Sequence, residues 1–218
     1  MYIRKIESVF QSWMDAPSHK PIVVKGVRQC GKTSSVVDFA NKHFRHIVYL
    51  DFREHPDYKL FFTPNLNVDD IIMRITAAMP DVEIEAGNTC FIFDEIQDCP
   101  RARGSLKYFF LDGRFEVMCT GSLLGVNGYK SREEQVEEAD ASIPVGFEDI
   151  VNMYPMDFEE WLWANGIKPM HIDYLRQCLD NEAPVDHSCP ISRAASPICH
   201  CRWNARGCNY IPEYEADG

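Results

Sequence analysis

The amino-acid sequence predicts a three-layer α/β domain built on a central parallel sheet, and three observations carry that expectation. Short apolar runs of strand length alternate with stretches of helical periodicity, the pattern of parallel strands joined by crossover helices. The first of those runs leads straight into a glycine-bearing turn and then a helix. The third ends in two consecutive acidic residues, Asp94 and Glu95.

In order along the chain, Ile3, Ile6, Phe10 and Trp13 recur at helical spacing and predict a helix over residues 1–13. Residues 21–25 form an apolar run ending at a glycine, the profile of a strand buried on both faces. Residues 33–43 suit a helix with Val36, Val37 and Ala40 on one face, and 47–52 read as a second strand. Residues 56–66 are aromatic-rich and irregular, and 68–79 read as a helix stopped by Pro80. A third strand covers 89–93, a helix 106–111, a fourth strand 115–119, a fifth strand 147–155, and a short helix 157–165 with Phe158, Trp161 and Leu162 facing inward. Residues 125–140 hold Asn127-Gly128 and an acidic stretch from Glu133 to Asp140, which predict a solvated, mobile loop.

The chain has 218 residues, 45% hydrophobic and 25% charged, an ordinary globular composition. Its net charge of −11 argues against unspecific binding to a phosphate backbone, so nucleic acid is not an expected partner. No apolar run has the length of a membrane helix, and the first residues lack a signal-like apolar stretch, so a cytoplasmic protein is expected. Of nine cysteines, Cys30, Cys90, Cys99, Cys119 and Cys178 sit beside apolar residues and read as small buried hydrophobes; the other four crowd into residues 189–208.

The run Gly26-Val27-Arg28-Gln29-Cys30-Gly31-Lys32-Thr33 fits G-x-x-x-x-G-K-[ST] in full, between a predicted strand and a predicted helix. Glycines let the backbone close into a nest of N–H groups facing phosphate oxygens, and the helix behind it, with Thr33 and Ser34 in its first turn, turns its positive end to the same anion. Lys32 is placed to reach the β- and γ-phosphates and Thr33 to ligate magnesium. Asp94, at the end of an apolar strand, is the second candidate magnesium holder, and Glu95 the candidate general base. Gln97 and Asp98 are expected to shape the loop behind them. Thr120-Gly121-Ser122, at the fourth strand's end, places hydroxyls where a parallel sheet opens onto its ligand, with Ser122 a candidate nucleotide contact; a helix N-cap is the alternative.

These residues resemble the AAA+-like ATPases of prokaryotes in which an AAA_14 core precedes a DUF4143 domain. The resemblance extends over residues 2–186 and runs through Arg4, the Gly26–Thr33 loop, Phe93-Asp94-Glu95-Ile96-Gln97, Thr120-Gly121-Ser122, Pro144-Val145-Gly146 and the stretch from Tyr154 to Trp161. It implies an ATP- and Mg2+-dependent core with the strand order of additional-strand (ASCE) P-loop proteins, and it alone supplies the preference for adenine. After Asp186 the family continues with a Gly-Gly-Met-Pro-Glu-like segment and a long C-terminal domain, and this sequence departs from it. Read from the second base of each codon, Cys201 to Cys208 permit Val-Gly-Gly-Met-Pro-Glu-Val-Val. A frameshift between Asp186 and Pro197 is therefore expected, and the coding DNA decides it. The competing reading of Cys189, Cys199, His200, Cys201 and Cys208 is a zinc site, without the paired C-x-x-C spacing that marks one.

Phe52, Tyr58, Phe61 and Phe62 read as packing residues rather than a base-stacking surface, since few basic residues lie between them. Arg101, Arg103 and Arg132 read as solvated, with an arginine finger acting in trans as the alternative. His43, His46, His55 and His171 have no ligand spacing and receive no role. The expected organisation is a P-loop ATPase domain over 1–165, a helical extension over 166–186 and a tail over 187–218. The expected function is ATP binding with hydrolysis, alongside an unidentified protein partner and homo-oligomeric assembly. The alternatives are a nucleotide-gated interaction module, in which ATP orders the 125–140 loop, and a nonfunctional fragment.

Overall fold

A computed structural model describes residues 3–122 and 146–181; the 125–140 loop and the 187–218 tail lie outside them. The described residues fall into two compact units, one ending at Met156 and the other beginning at Asp157. The first contains helix α1 (Ile6–Met14), strand β1 (Ile22–Gly26), α2 (Lys32–His43), β2 (His46–Asp51), a 3-10 helix (Pro56–Phe62), α3 (Val68–Ala78), β3 (Thr89–Asp94), a 3-10 turn (Ile96–Asp98), α4 (Pro100–Asp112), β4 (Glu116–Ser122) and β5 (Asp149–Met153). The second contains α5 (Phe158–Ala164) and α6 (Pro169–Asp180).

The five strands lie side by side in the order β2-β3-β4-β1-β5. Every neighbouring pair is parallel. β4 is interposed between β1 and β3, as the additional-strand expectation requires. Because side chains alternate across a pleated strand, successive residues feed two different cores. Val23, Phe91, Phe93, Val117 and Cys119 pack against Ile71 and Ile75 of α3 and Leu106 and Phe109 of α4. Ile22, Val24, Ile92 and Met118 face Phe10 of α1 and Val36 and Phe39 of α2. Burial on both faces explains why the strands read as continuous apolar runs, each large side chain contributing roughly 1.5–3 kcal/mol. The sheet therefore has helices on both sides, the predicted three-layer arrangement.

Differences from expectation have local causes. α1 starts at Ile6, with Ile3 exposed, so the apolar stripe consists of Ile6, Phe10 and Trp13. α4 spans Pro100–Asp112 rather than residues 106–111. Pro100 opens it with φ already suited to a first turn, and Gly113, at φ 69°, closes it in the left-handed conformation. Its first turn carries Arg101, Arg103 and Gly104, which mask the apolar period in the sequence. Neither arginine is the solvated side chain expected. Arg101 donates to the Phe62 and Pro64 carbonyls. Arg103 grips Glu148 through two hydrogen bonds of 3.0 and 2.5 Å, with side chains only 11% and 6% exposed. Arg132 lies outside the described residues. Phe158 was expected to face inward and is 61% exposed, stacked on Trp161, while Leu162 enters a small core with Ile167 and Ile172. Phe52, Phe61 and Phe62 are buried in the main core as expected, and all five body cysteines are buried free thiols.

Candidate functional site at the phosphate loop

A ligand binds an open parallel sheet where strand order reverses, outside the C-terminal ends of the strands. Here that place is the end of β1, flanked by β4 on one side and β5 on the other. The chain leaves β1 at Gly26, turns through Gln29 at φ 62° and Gly31 at φ 93°, and enters α2 at Lys32. Gly26 has a steric reason to be glycine: a Cβ there would overlap the Met153 carbonyl oxygen on β5. Gly31 has a conformational one, since its backbone is left-handed.

An open concavity of about 420 Å3 lies over the turn, lined by Arg28, Gln29, Gly31, Lys32, Thr33, Ser34, Arg53 and Glu95. Three of these are cations against one carboxylate, a balance that favours an anionic occupant. Lys32 is only 7% exposed, and its ammonium donates to the Gly26 and Val27 carbonyls at 3.1 and 2.8 Å. It is thus held inside the turn that its motif predicts it to serve.

Asp94, a residue only 5% exposed, ends β3 with its carboxylate among hydroxyls. Thr33 Oγ1 donates to Oδ1 at 3.0 Å, Tyr49 Oη to Oδ2 at 2.6 Å, and Thr120 Oγ1 also to Oδ1. Burial, and then the Asp94 carboxylate beside it, push the Tyr49 phenol well above its usual range, so it stays a protonated donor. Glu95 follows in the left-handed region (φ 52°), its N–H directed at Asp94 Oδ1 at 3.1 Å. That conformation is strained for a side-chain-bearing residue and turns the Glu95 carboxylate into the concavity. Arg53 Nη1 lies 3.2 Å from Glu95 Oε1, and Gln97 Nε2 donates to Oε2. Gln97 Oε1 in turn accepts the Ser122 N–H at 3.2 Å, and Arg53 Nε reaches Asp98 at 3.1 Å.

The donor set of one carboxylate and the Thr33 hydroxyl is hard and oxygen-based, which fits magnesium. The left-handed glycine turn running into α2 fits a phosphate cradle. Of the candidates named from sequence, Arg28, Gln29, Gly31, Lys32, Thr33, Ser34 and Glu95 line the concavity, and Asp94 touches Thr33 behind it. Val27 and Cys30 contribute backbone carbonyls, to Lys32 and to Arg4 respectively. At the end of β4 the Thr120 hydroxyl reaches Asp94, and the Ser122 N–H donates to Gln97 Oε1.

Sequence reasoning gave no role to Tyr49, Arg53 or Arg4. Tyr49 was detectable by alternation: Val48 and Leu50 face the α3–α4 core, so Tyr49 must face the side of Asp94. Arg53, two residues past β2, carries no such signal.

The fold and this turn define a P-loop nucleotide-binding domain of the AAA type. The chain belongs to the AAA domain family AAA_14, whose model matches residues 18–162. Among solved structures, Cdc6p from Pyrobaculum aerophilum is similar at 11% identity and TM-score 0.38, covering 71% of this chain and 45% of that one. AMPPCP-bound DnaA from Aquifex aeolicus is similar at 13% and 0.42, covering 78% and 49%. PCH-2 from C. elegans is similar at 17% and 0.35, covering 76% and 41%. The chain thus spans about half the length of these structures or less. No curated protein matches it. No helix among the described residues is long and apolar enough to cross a membrane.

Proposed function

We propose that this chain binds ATP with Mg2+ at the phosphate loop and hydrolyses it to ADP and phosphate. The observation that carries the reading is the convergence of Lys32, the Thr33–Asp94 pair and Glu95 around one concavity. Lys32 and the loop amides hold the phosphates, and Thr33 with Asp94 holds the metal. Bound magnesium neutralises charge on the phosphate oxygens. Tyr49 and Thr120 keep the Asp94 carboxylate oriented towards Thr33. Glu95 takes the proton of the attacking water, for which its carboxylate must leave Arg53 and Gln97.

That grip on Glu95 favours a second reading, a module that binds ATP and turns it over only when a partner releases Glu95. Phosphate release and nucleotide affinity, measured on wild type and Glu95→Gln, separate the readings. Hydrolysis predicts turnover that falls by roughly two orders of magnitude or more in Glu95→Gln while affinity holds within a factor of about three. Equal turnover in both proteins would remove Glu95 from the chemistry. Tight binding without turnover in wild type would favour the gated module.

A further inference from the structure

We infer that Arg4 is a positioning residue that holds the phosphate loop open while Lys32 moves. The inference rests on the nucleotide reading of that loop. A nest that turns its N–H groups towards an anion turns its carbonyls outward, and a carbonyl buried on that side needs a donor. The loop has two such arrangements. The Gly26 and Val27 carbonyls accept from Lys32, the side chain that must leave them to reach a phosphate. The Cys30 carbonyl accepts from Arg4 Nη1 at 2.8 Å, and the same guanidinium donates through Nη2 to the Tyr154 carbonyl at 2.9 Å, just past β5.

Arg4 is 9% exposed and stands directly behind the turn: a Cβ on Gly31 would come within 3.2 Å of Nη1. One rigid, planar fork thus spans two backbone segments, residues 30 and 154, from a third, the residue two before α1. A lysine keeps the charge but offers one point instead of a fork, so it cannot reproduce this bridge. The division of labour follows. Lys32 exchanges loop carbonyls for phosphate, and Arg4, which is not among the residues lining the concavity, keeps its carbonyls throughout.

Cys30 reports on the anchor without any nucleotide, because its thiol is buried beside the carbonyl that Arg4 holds. Wild type, Arg4→Met and Arg4→Lys are labelled with a maleimide in the absence of nucleotide and read peptide by peptide, and MgATP affinity is then titrated on each. The expected result is labelling of Cys30 at least tenfold faster in both variants, with Cys90 and Cys119 still protected, and MgATP affinity at least tenfold weaker in both. Unchanged Cys30 labelling in Arg4→Met overturns the inference. Full rescue by Arg4→Lys also overturns it, because charge alone would then suffice. Simultaneous labelling of Cys30, Cys90 and Cys119 in both variants contradicts it by making Arg4 a global stabiliser. A wild type that ignores MgATP, with Cys30 still unmasked by Arg4→Met, defeats the nucleotide reading and leaves the anchor standing.

Discussion

Gly26→Ala tests the geometry that joins the sheet to the site. The added Cβ would overlap the Met153 carbonyl oxygen and lie 3.0 Å from Cys30 Sγ and 3.3 Å from the Met153 carbonyl carbon. Two of these three neighbours are backbone, so no rotamer change relieves the clash. Gly26 pairs with Met153 in the β1–β5 register, and β5 is an edge strand, so relief comes from splaying β5 or shifting the start of the loop. Overpacking of this kind costs about 1–3 kcal/mol, a fall in Tm of roughly 2–4 °C per kcal/mol in a chain of this size. Gly104→Ala is the matched control. It lies within α4, and its Cβ would meet only Leu66 Cδ1 at an ordinary 3.5 Å. Replacing a helical glycine by alanine gains about 0.5–1 kcal/mol, so this variant should melt higher. Calorimetric melts of the three proteins give the assay. A Gly26→Ala melt at or above wild type, or a Gly104→Ala melt below it, would refute the steric argument.

Three further outcomes follow from other parts of the molecule. His19 lies with Nδ1 3.0 Å from the Ala16 carbonyl and Nε2 2.8 Å from Glu116, so both ring nitrogens face acceptors. Burial lowers its pKa, but those acceptors outweigh burial and the net shift is upward from 6.5, so its stabilisation is present below that value and lost as pH rises through the higher folded one. The Tm difference between wild type and His19→Gln should be larger at pH 5.5 than at pH 8.5, to within about a unit in either choice of buffer. Arg103→Met removes one of two cations beside the Glu148 carboxylate, Lys25 being the other, and should destabilise by about 1–3 kcal/mol in a denaturant titration. Tyr49→Phe removes one donor to a charged carboxylate at a partly exposed position and should cost about 1 kcal/mol while keeping a cooperative melt.

The sheet was legible because β1 and β3 are buried on both faces and therefore read as unbroken apolar runs, and because the phosphate loop demands its residues at fixed spacing. The cations around the site were not. Arg53 reaches Glu95 from a turn, and Arg4 reaches Cys30 from a segment 26 residues away, and neither separation leaves a periodic trace. Arg103 misled for a related reason: its partner Glu148 is 45 residues distant, and a charged residue read alone defaults to solvent. Phe158 was assigned inward on helical period, but α5 is two turns long and buries only Leu162 and the capping Glu160.

A thermal melt with and without MgATP, run beside Lys32→Ala, tests most directly whether the loop is a working nucleotide site. A ligand that binds only the folded state adds RT ln(1 + [L]/Kd), about 2.7 kcal/mol at a hundredfold excess over Kd. A working site predicts a clear upward shift in wild type that vanishes in Lys32→Ala. Cooperative melts that MgATP leaves unmoved in both proteins would contradict it.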